Sequence, residues 1–439
     1  MPDFKVIHDS VHGSVRLEGV FVDLLSRPEM QRLNGIHQLG LAHLVFPGAH
    51  HTRLEHSLGT YYIVSQMCSA LGIKSDETET VRAAALLHDV GHPPYSHTLE
   101  EVMAHALGLD HVSLSRQIIL GEKRCLTSFE RKVLGETESI RSVLDRHGLD
   151  PSEVAELVAL STSLDNPDQS LLPVENSQAH FGRGRHEYLH QMIHGPVDAD
   201  QMDYLLRDSH YTGVAHGTID IDRLMHTMSL FHGDLVIEKG GVAAVEGLIV
   251  ARALMYSSVY FHKTVRIAEM MLCKAVEMAD ESLLGSIHAE NDCSLSEKLV
   301  AQGGYPARMM LRLKYRDLYK KAFSISMAEL DDTSMEALLQ FSDYDARKRI
   351  EADIAARAGV HPSEVIVDMP ERELLISEPR IGKTEVRILE DDKVRPLSRY
   401  SPLAKALQAR SVFDWAIMVS CPNGSRNEVA KAAERALSV

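Results

Sequence analysis

No run of about twenty apolar residues stands out in this 439-residue sequence, and no apolar segment follows Met1-Pro2-Asp3-Phe4-Lys5. Neither a membrane span nor a secretory leader is therefore expected. Basic residues are in the minority, 46 Lys and Arg against 62 Asp and Glu, for a net charge of −16. That balance argues against a surface dedicated to nucleic acid and leaves occasional nucleic-acid contact undecided. A small anion is still admissible, because a few arginines reverse the field inside a cleft. Five cysteines (Cys68, Cys125, Cys273, Cys293 and Cys421) form no Cys-x-x-Cys pair. This fits a reducing compartment with mostly buried thiols, and the chain is expected to be cytoplasmic. There is no internal repeat and no low-complexity tract.

The informative part is Leu87-His88-Asp89-Val90-Gly91-His92-Pro93-Pro94-Tyr95-Ser96-His97. Glu79 to Leu87 are helix formers, with Val81, Ala84, Ala85 and Leu87 spaced for one buried face. Gly91 reads as a left-handed stop, and Pro93-Pro94 forbids continuation. His88 and Asp89 are thus expected in the last turn of a buried helix, converging on an ion beyond its end. Imidazole and carboxylate together suit a divalent metal such as Mn, Fe, Mg, Ni or Zn. Taken alone, the dipeptide is equally an ordinary helix end. Its surroundings decide: Arg53-Leu54-Glu55-His56-Ser57-Leu58-Gly59-Thr60 lies upstream, and Asp198-Ala199-Asp200-Gln201-Met202-Asp203-Tyr204-Leu205-Leu206-Arg207-Asp208 far downstream.

One His, a His-Asp pair and a distant Asp resemble the ligand set of the HD superfamily of metal-dependent phosphohydrolases. With Gln38-Leu39-Gly40 and Val45-Phe46-Pro47-Gly48-Ala49, residues from Lys5 to about Leu272 resemble the SAM-and-HD-domain deoxynucleoside triphosphate triphosphohydrolases and their bacterial relatives. No SAM-like domain is expected ahead of them. The resemblance implies His56, His88, Asp89 and Asp200 as ligands of one divalent metal ion per site. It implies His92, His111 and Glu100 as a catalytic group, with His97 close to the scissile phosphate. Glu100 stands where the SAM-and-HD enzymes have Asp, and Glu101 is its alternative. Asp203 is better explained as a residue supporting the site than as a ligand.

On the substrate side the resemblance implies that Arg53 and Arg252 contact phosphate and that Gln38 and Asp208 hold the sugar 3′-hydroxyl. Leu39, Tyr204 and Tyr260, which alone would read as core, pack around the deoxyribose. Gln201 replaces a phosphate-binding Lys, with Lys263 or Arg207 as candidate substitutes. The relatives also bind an activating guanine nucleotide between subunits. Lys5, Val6 and Gln31 are kept from that effector site, whereas Ser26 and Asn34 replace the Asp and Arg that read guanine. A homo-oligomer, dimer or tetramer, is expected, without a strict GTP requirement.

The expected fold is mainly α: an HD-domain helical core with short β-hairpins over 1–290 (core about 50–210), then a smaller C-terminal α+β lobe over 291–439. Lys5 to Leu17 reads as a hairpin, as do Leu235–Ile237 with Val242–Val245. Gly247 to Met278 reads as one long helix, Leu295 to Ala356 as helical, and Asn166 to Gly184 as a surface loop. Strands are expected at Glu364–Asp368, Glu373–Ile376, Thr384–Leu389 and Val412–Ser420. The expected reaction is hydrolysis of deoxynucleoside triphosphates to deoxynucleoside and triphosphate. Its rivals are an HD phosphatase or phosphodiesterase acting on another nucleotide, and a nucleotide-sensing or nucleic-acid-binding module. The lobe carries no legible function.

Overall fold

The computed structural model describes residues 4–159, 187–326, 329–369, 386–408 and 415–437. The fold is mainly helical, with an HD-type helical core, small sheets and a C-terminal lobe. Strands Phe4–Asp9 and Gly13–Glu18 pair antiparallel, Asp9 opposite Gly13. Asp9 builds the turn itself, its Oδ1 accepting from the backbone N–H groups of Val11 and His12.

The helix Arg53–Leu71 opens on a capping box between Thr52 and Glu55 and stops at Gly72, whose φ of 64° favours glycine. Ser75–Leu87 packs against it and buries Val81, Ala84, Ala85 and Leu87, the expected face. Ala199–Thr212, capped by the Asp198 carboxylate, also packs on Arg53–Leu71. Gly59 sits at that contact: a Cβ there would stand 1.8 Å from Asp203 Oδ1 and 2.4 Å from an Arg207 nitrogen. Glycine is needed here for close approach, not for its backbone angle.

Two buried apolar clusters organise the chain. The larger extends from Val15 through the helical core to Leu313 and includes Trp415 and Met418. The smaller belongs to the lobe and gathers Leu338, Ile354, Val367, Val419 and Val429. There, Ile417–Cys421 is the central strand of an antiparallel sheet between Lys320–Ile325 and Ile366–Asp368. Helices Tyr344–Ala358 and Arg426–Ala436 complete the lobe. A second, mixed sheet joins Met228–Phe231, Asp234–Glu238, Arg387–Glu390 and Lys393–Pro396, with Ile237 paired in parallel to Ile388.

Several expectations need correcting. Gly91 has no positive φ; its N–H donates to Ser115 Oγ, and a Cβ would collide with the His111 carbonyl at 2.4 Å. The left-handed residues are instead Tyr95 and Ser96, and His88 caps the helix rather than lying in its last turn. Asp234–Glu238 pairs backward with Met228–Phe231, while Val242–Val245 begins the helix Val242–Met255. That short apolar run fits either period, and Val245 and Leu248 follow the helical one. The long helix is interrupted: a π-turn at Tyr256–Tyr260 and a break at Phe261 precede Lys263–Glu277, which His262 caps. Lys320–Ile325 is a strand inside a region expected to be helical, because its alternating residues complete the lobe sheet. Among the described residues one run, Lys239–Tyr260, is long and apolar enough to cross a membrane by length and composition alone, a test that a buried core helix also passes. Its helix packs against Ala199–Thr212 and Pro402–Gln408. The expected loop Asn166–Gly184 and strand Glu373–Ile376 lie outside the described residues.

Arg207 is completely buried, donating from Nε and Nη2 to Asp203 at 2.9 and 2.8 Å and from Nη1 to Asp9 at 2.7 Å. Arg207→Ala leaves two buried carboxylates without their cation and is expected to destabilise the protein by about 3–5 kcal/mol. Removing exposed Arg146 should leave stability nearly unchanged. Denaturant unfolding of both variants checks this; similar midpoints would contradict the assignment.

Candidate metal and phosphohydrolase site

His56 lies in the first turns of Arg53–Leu71 and is fully buried. Its Nδ1–H points at Asp203 Oδ2, 2.7 Å away, which fixes the tautomer and turns Nε2 toward Asp200 Oδ1 at 2.9 Å and Asp89 Oδ2 at 3.6 Å. His88 is oriented the same way: Nδ1–H faces the Ala85 carbonyl at 2.8 Å, and Nε2 faces Asp89 Oδ1 at 3.3 Å and Asp200 Oδ1 at 3.9 Å. Both Nε2 atoms are buried without a hydrogen bond. A nitrogen lone pair aimed at carboxylate oxygens is repulsive unless a cation lies between them. Burial lowers the His56 pKa, but the Asp200 and Asp203 carboxylates raise it to about 10, so this environment strongly favours positive charge. The residues fit a divalent ion, and His56, His88 and Asp200 place their ligand atoms within 4.8 Å of one another. Asp89 completes the cradle while receiving Arg53 Nη1 at 2.6 Å. Burial raises the Asp89 pKa, yet the His88 and Arg53 charges hold it well below the carboxylate range. Asp203 is a support: Arg207 and His12 Nε2, at 2.6 Å, hold it against His56.

Beside this cradle His92 stacks on His111 with ring centroids 4.1 Å apart. His92 Nε2 is 3.2 Å from Asp89 Oδ1. Burial and the nearby Arg53 charge push the His92 pKa well down, so it is neutral. Glu100 bonds His111 Nδ1 through one oxygen and His97 Nδ1, at 2.7 Å, through the other. Burial lowers the His111 pKa, but Glu100 more than offsets this and raises it. Glu101 points elsewhere and pairs with Arg347 of the lobe. His97 is exposed toward the cleft mouth.

His88, Asp89, Asp200, His92, His97, Glu100 and His111 open into a cavity of about 790 Å³ that also contains Gln38, Leu39, Arg53, Tyr204, Asp208, Arg252 and Tyr260. Tyr260 donates its hydroxyl to Asp208 Oδ2 at 2.7 Å, and His51 Nε2 lies 2.7 Å from Asp208 Oδ1. Tyr204 meets Tyr260 edge to face at 6.1 Å. Gln38 Oε1 is buried without a partner. Arg53 donates Nε to Ser96 Oγ at 2.9 Å. Arg252 donates to Gln201 Oε1 at 3.1 Å, and the Gln201 amide donates to Gly195 O and Asp198. Gln201 is therefore committed to protein groups. Neither suggested substitute serves: Arg207 is sealed in the core, and exposed Lys263 does not line the cleft.

Sequence reasoning missed His12, His51, Asp198, His194 and Tyr256. His51 directly precedes the capping Thr52, yet among 24 histidines nothing marks it. Burial and Asp200 push the Asp198 pKa well up, and burial with His190 and His88 lowers that of His194 to about 4. Lys5 and Val6 are exposed on the first strand, and exposed Gln31 donates its amide to the Leu25 carbonyl at 2.7 Å.

An HD domain model matches residues 53–208, and an HD associated region matches 219–439. The chain belongs to the HD-domain phosphohydrolase family. This HD-domain protein is similar to an uncharacterised protein of Methanocaldococcus jannaschii, 31% identical over 432 residues, covering 97% of this chain and 81% of that one. An uncharacterised Bacillus subtilis protein, YwfO, is 30% identical over 93% of this chain and 90% of its own length. Human deoxynucleoside triphosphate triphosphohydrolase SAMHD1 is 29% identical over 63% of this chain, which spans 45% of that protein. A solved phosphohydrolase from Bacteroides thetaiotaomicron shares the fold at a TM-score of 0.65 and 24% identity, over 95% of this chain and 99% of that one.

Asp200→Ala, or His88→Ala with Asp89→Ala, should remove bound metal and turnover while preserving the helical circular dichroism, because the cradle lies on helices packed by other residues. Gly59→Ala should lower metal content by displacing Asp203 from His56. Plasma spectrometry beside circular dichroism checks both, and full activity in a metal-free variant would refute the cradle.

Proposed function

We propose that this HD-domain protein hydrolyses deoxynucleoside triphosphates to deoxynucleoside and triphosphate. The supporting observation is that the His-Asp cradle and the Tyr260–Asp208 pair share one cleft, so a scissile phosphate and a sugar have adjacent places in it. The name of the SAMHD1 relative agrees with this reading. His56, His88, Asp89 and Asp200 hold the divalent ion. When bound, such an ion polarises a phosphoryl oxygen and lowers the pKa of water.

The chain's own groups do the rest. Arg53, fixed by Asp89 and Ser96, and Arg252 hold phosphate oxygens through their guanidinium groups. Water adds at the α-phosphorus, the bond to O5′ breaks, and the departing oxygen takes a proton. His111, kept charged by Glu100, and His97 are the proton donors within this group. Gln38 and Asp208 receive the 3′-hydroxyl, and Leu39, Tyr204 and Tyr260 crowd the 2′ position. Lys5, Val6 and Gln31 are proposed effector contacts at a subunit boundary.

A pinned Tyr260 leaves a 2′-hydroxyl displaced or unpaired, which costs on the order of 1–3 kcal/mol. Matched dNTP and NTP pairs should accordingly differ roughly ten- to a hundredfold in kcat/KM. Product analysis over the same panel tests the reaction: inorganic phosphate, or no product, would refute it in favour of a phosphatase or a sensor.

The Glu100–His111 pair sets a pH dependence. Because Glu100 raises the His111 pKa, the charged form persists to higher pH and is lost as pH rises through that value. In Glu100→Gln, burial acts on His111 without its counter-charge. The alkaline limb of kcat/KM should then move to lower pH. An unmoved limb would remove His111 from the proton-transfer role.

A further inference from the structure

The cleft is also lined by groups to which the phosphate and sugar roles assign nothing. The helix Lys263–Glu277 faces it with Arg266, Glu269 and Met270, three and four residues apart and hence on one face. The opposite wall comes from the C-terminal lobe: Asp368 and Met369 at the end of one strand, and Trp415 just before the central strand. Arg266 bridges the two walls, donating to Asp368 Oδ1 at 2.7 Å and to Glu269 Oε2 at 3.2 Å. A Cβ on Gly40, next to Leu39, would stand 2.5 Å from Thr98 Oγ1 and 3.6 Å from Glu269 Oε1.

One polar group there lacks a partner among the described residues: Trp415 is only 4% exposed, yet its Nε1 is buried without an acceptor. A wall that needed only apolar bulk has no use for an unpaired indole N–H. An aromatic face, a guanidinium plane, a carboxylate and an unpaired indole N–H suit a flat heterocycle with donors and acceptors on its edge.

Resting on the reading of the cleft as a deoxynucleotide site, we infer that this part of it receives the substrate's nucleobase, with Arg266, Glu269 and Trp415 setting which base is preferred. On this reading the phosphate lies at the cradle, the sugar at Tyr260 and Asp208, and the base between the helix and the lobe. The C-terminal lobe is thereby part of the substrate site.

Trp415 is the single tryptophan of the chain, so emission excited selectively at tryptophan, beyond the absorption of the tyrosines, reports this wall. The intact, metal-loaded protein is mixed with each of the four dNTPs, and separately with inorganic triphosphate, while emission and released triphosphate are followed together. Emission should change with the dNTPs, to different extents for different bases, and stay constant with inorganic triphosphate. Triphosphate release with unresponsive emission, or an equal response to inorganic triphosphate, would overturn the base assignment and leave the reaction intact. Base-dependent emission without triphosphate release would retain the pocket and refute the reaction; neither signal would refute both. In Glu269→Gln, the kcat/KM ranking of the four dNTPs should shift by about tenfold or more between at least two bases. An unchanged ranking would remove Glu269 from the assignment.

Discussion

The site depends on one hydrogen bond, from His56 Nδ1 to Asp203, and on what keeps Asp203 in place. Asp203 is wholly buried, and such a carboxylate persists as an anion only when charge and hydrogen bonds compensate its lost hydration. Arg207 and His12 supply them, and Arg207 in turn reaches Asp9 in the first hairpin. The absent side chain of Gly59 lets this assembly reach His56 from the neighbouring helix. The hairpin, two helices and a glycine thus fix which imidazole nitrogen faces Asp200 and Asp89. Without that orientation, the same four residue types would not converge on a cation.

The lobe and the helical core are joined by charge as much as by apolar packing. Lys274 meets Glu351 at 2.5 Å and Arg347 meets Glu101 between helices, and Arg266 meets Asp368 at the end of a lobe strand. Buried pairs of this kind add little net stability over apolar contacts, but breaking one is costly because the remaining charge is stranded. Their effect is to define where the lobe sits against Lys263–Glu277. The strand pairing of Asp234–Glu238 with Arg387–Glu390 holds the lobe side of the chain from another direction.

The candidate ligand residues are legible through the motifs that carry the family resemblance, and His88 and Asp89 also through a helix pattern that ends beside them. The apolar face of that helix recurs in the structure as expected. Gly91 shows the limit of such reading. A glycine after a helix suggests a left-handed angle, whereas here the missing side chain admits the His111–Ile119 helix, a contact no local pattern contains. The same holds for His51, whose partner Asp208 lies far along the chain. Tyr256–Tyr260 is missed for another reason. Its composition is helical, and only the widened turn marks the place where Tyr260 reaches Asp208.

The central claim is that water attacks the α-phosphorus and the bond to O5′ breaks, with the histidine group delivering the proton. Turnover of a dNTP in ¹⁸O-enriched water, with both products analysed by mass spectrometry, tests this most directly. The account predicts one ¹⁸O atom in the released triphosphate and none in the deoxynucleoside. Label in the deoxynucleoside 5′-hydroxyl, or in inorganic phosphate released from the γ-position, would contradict it.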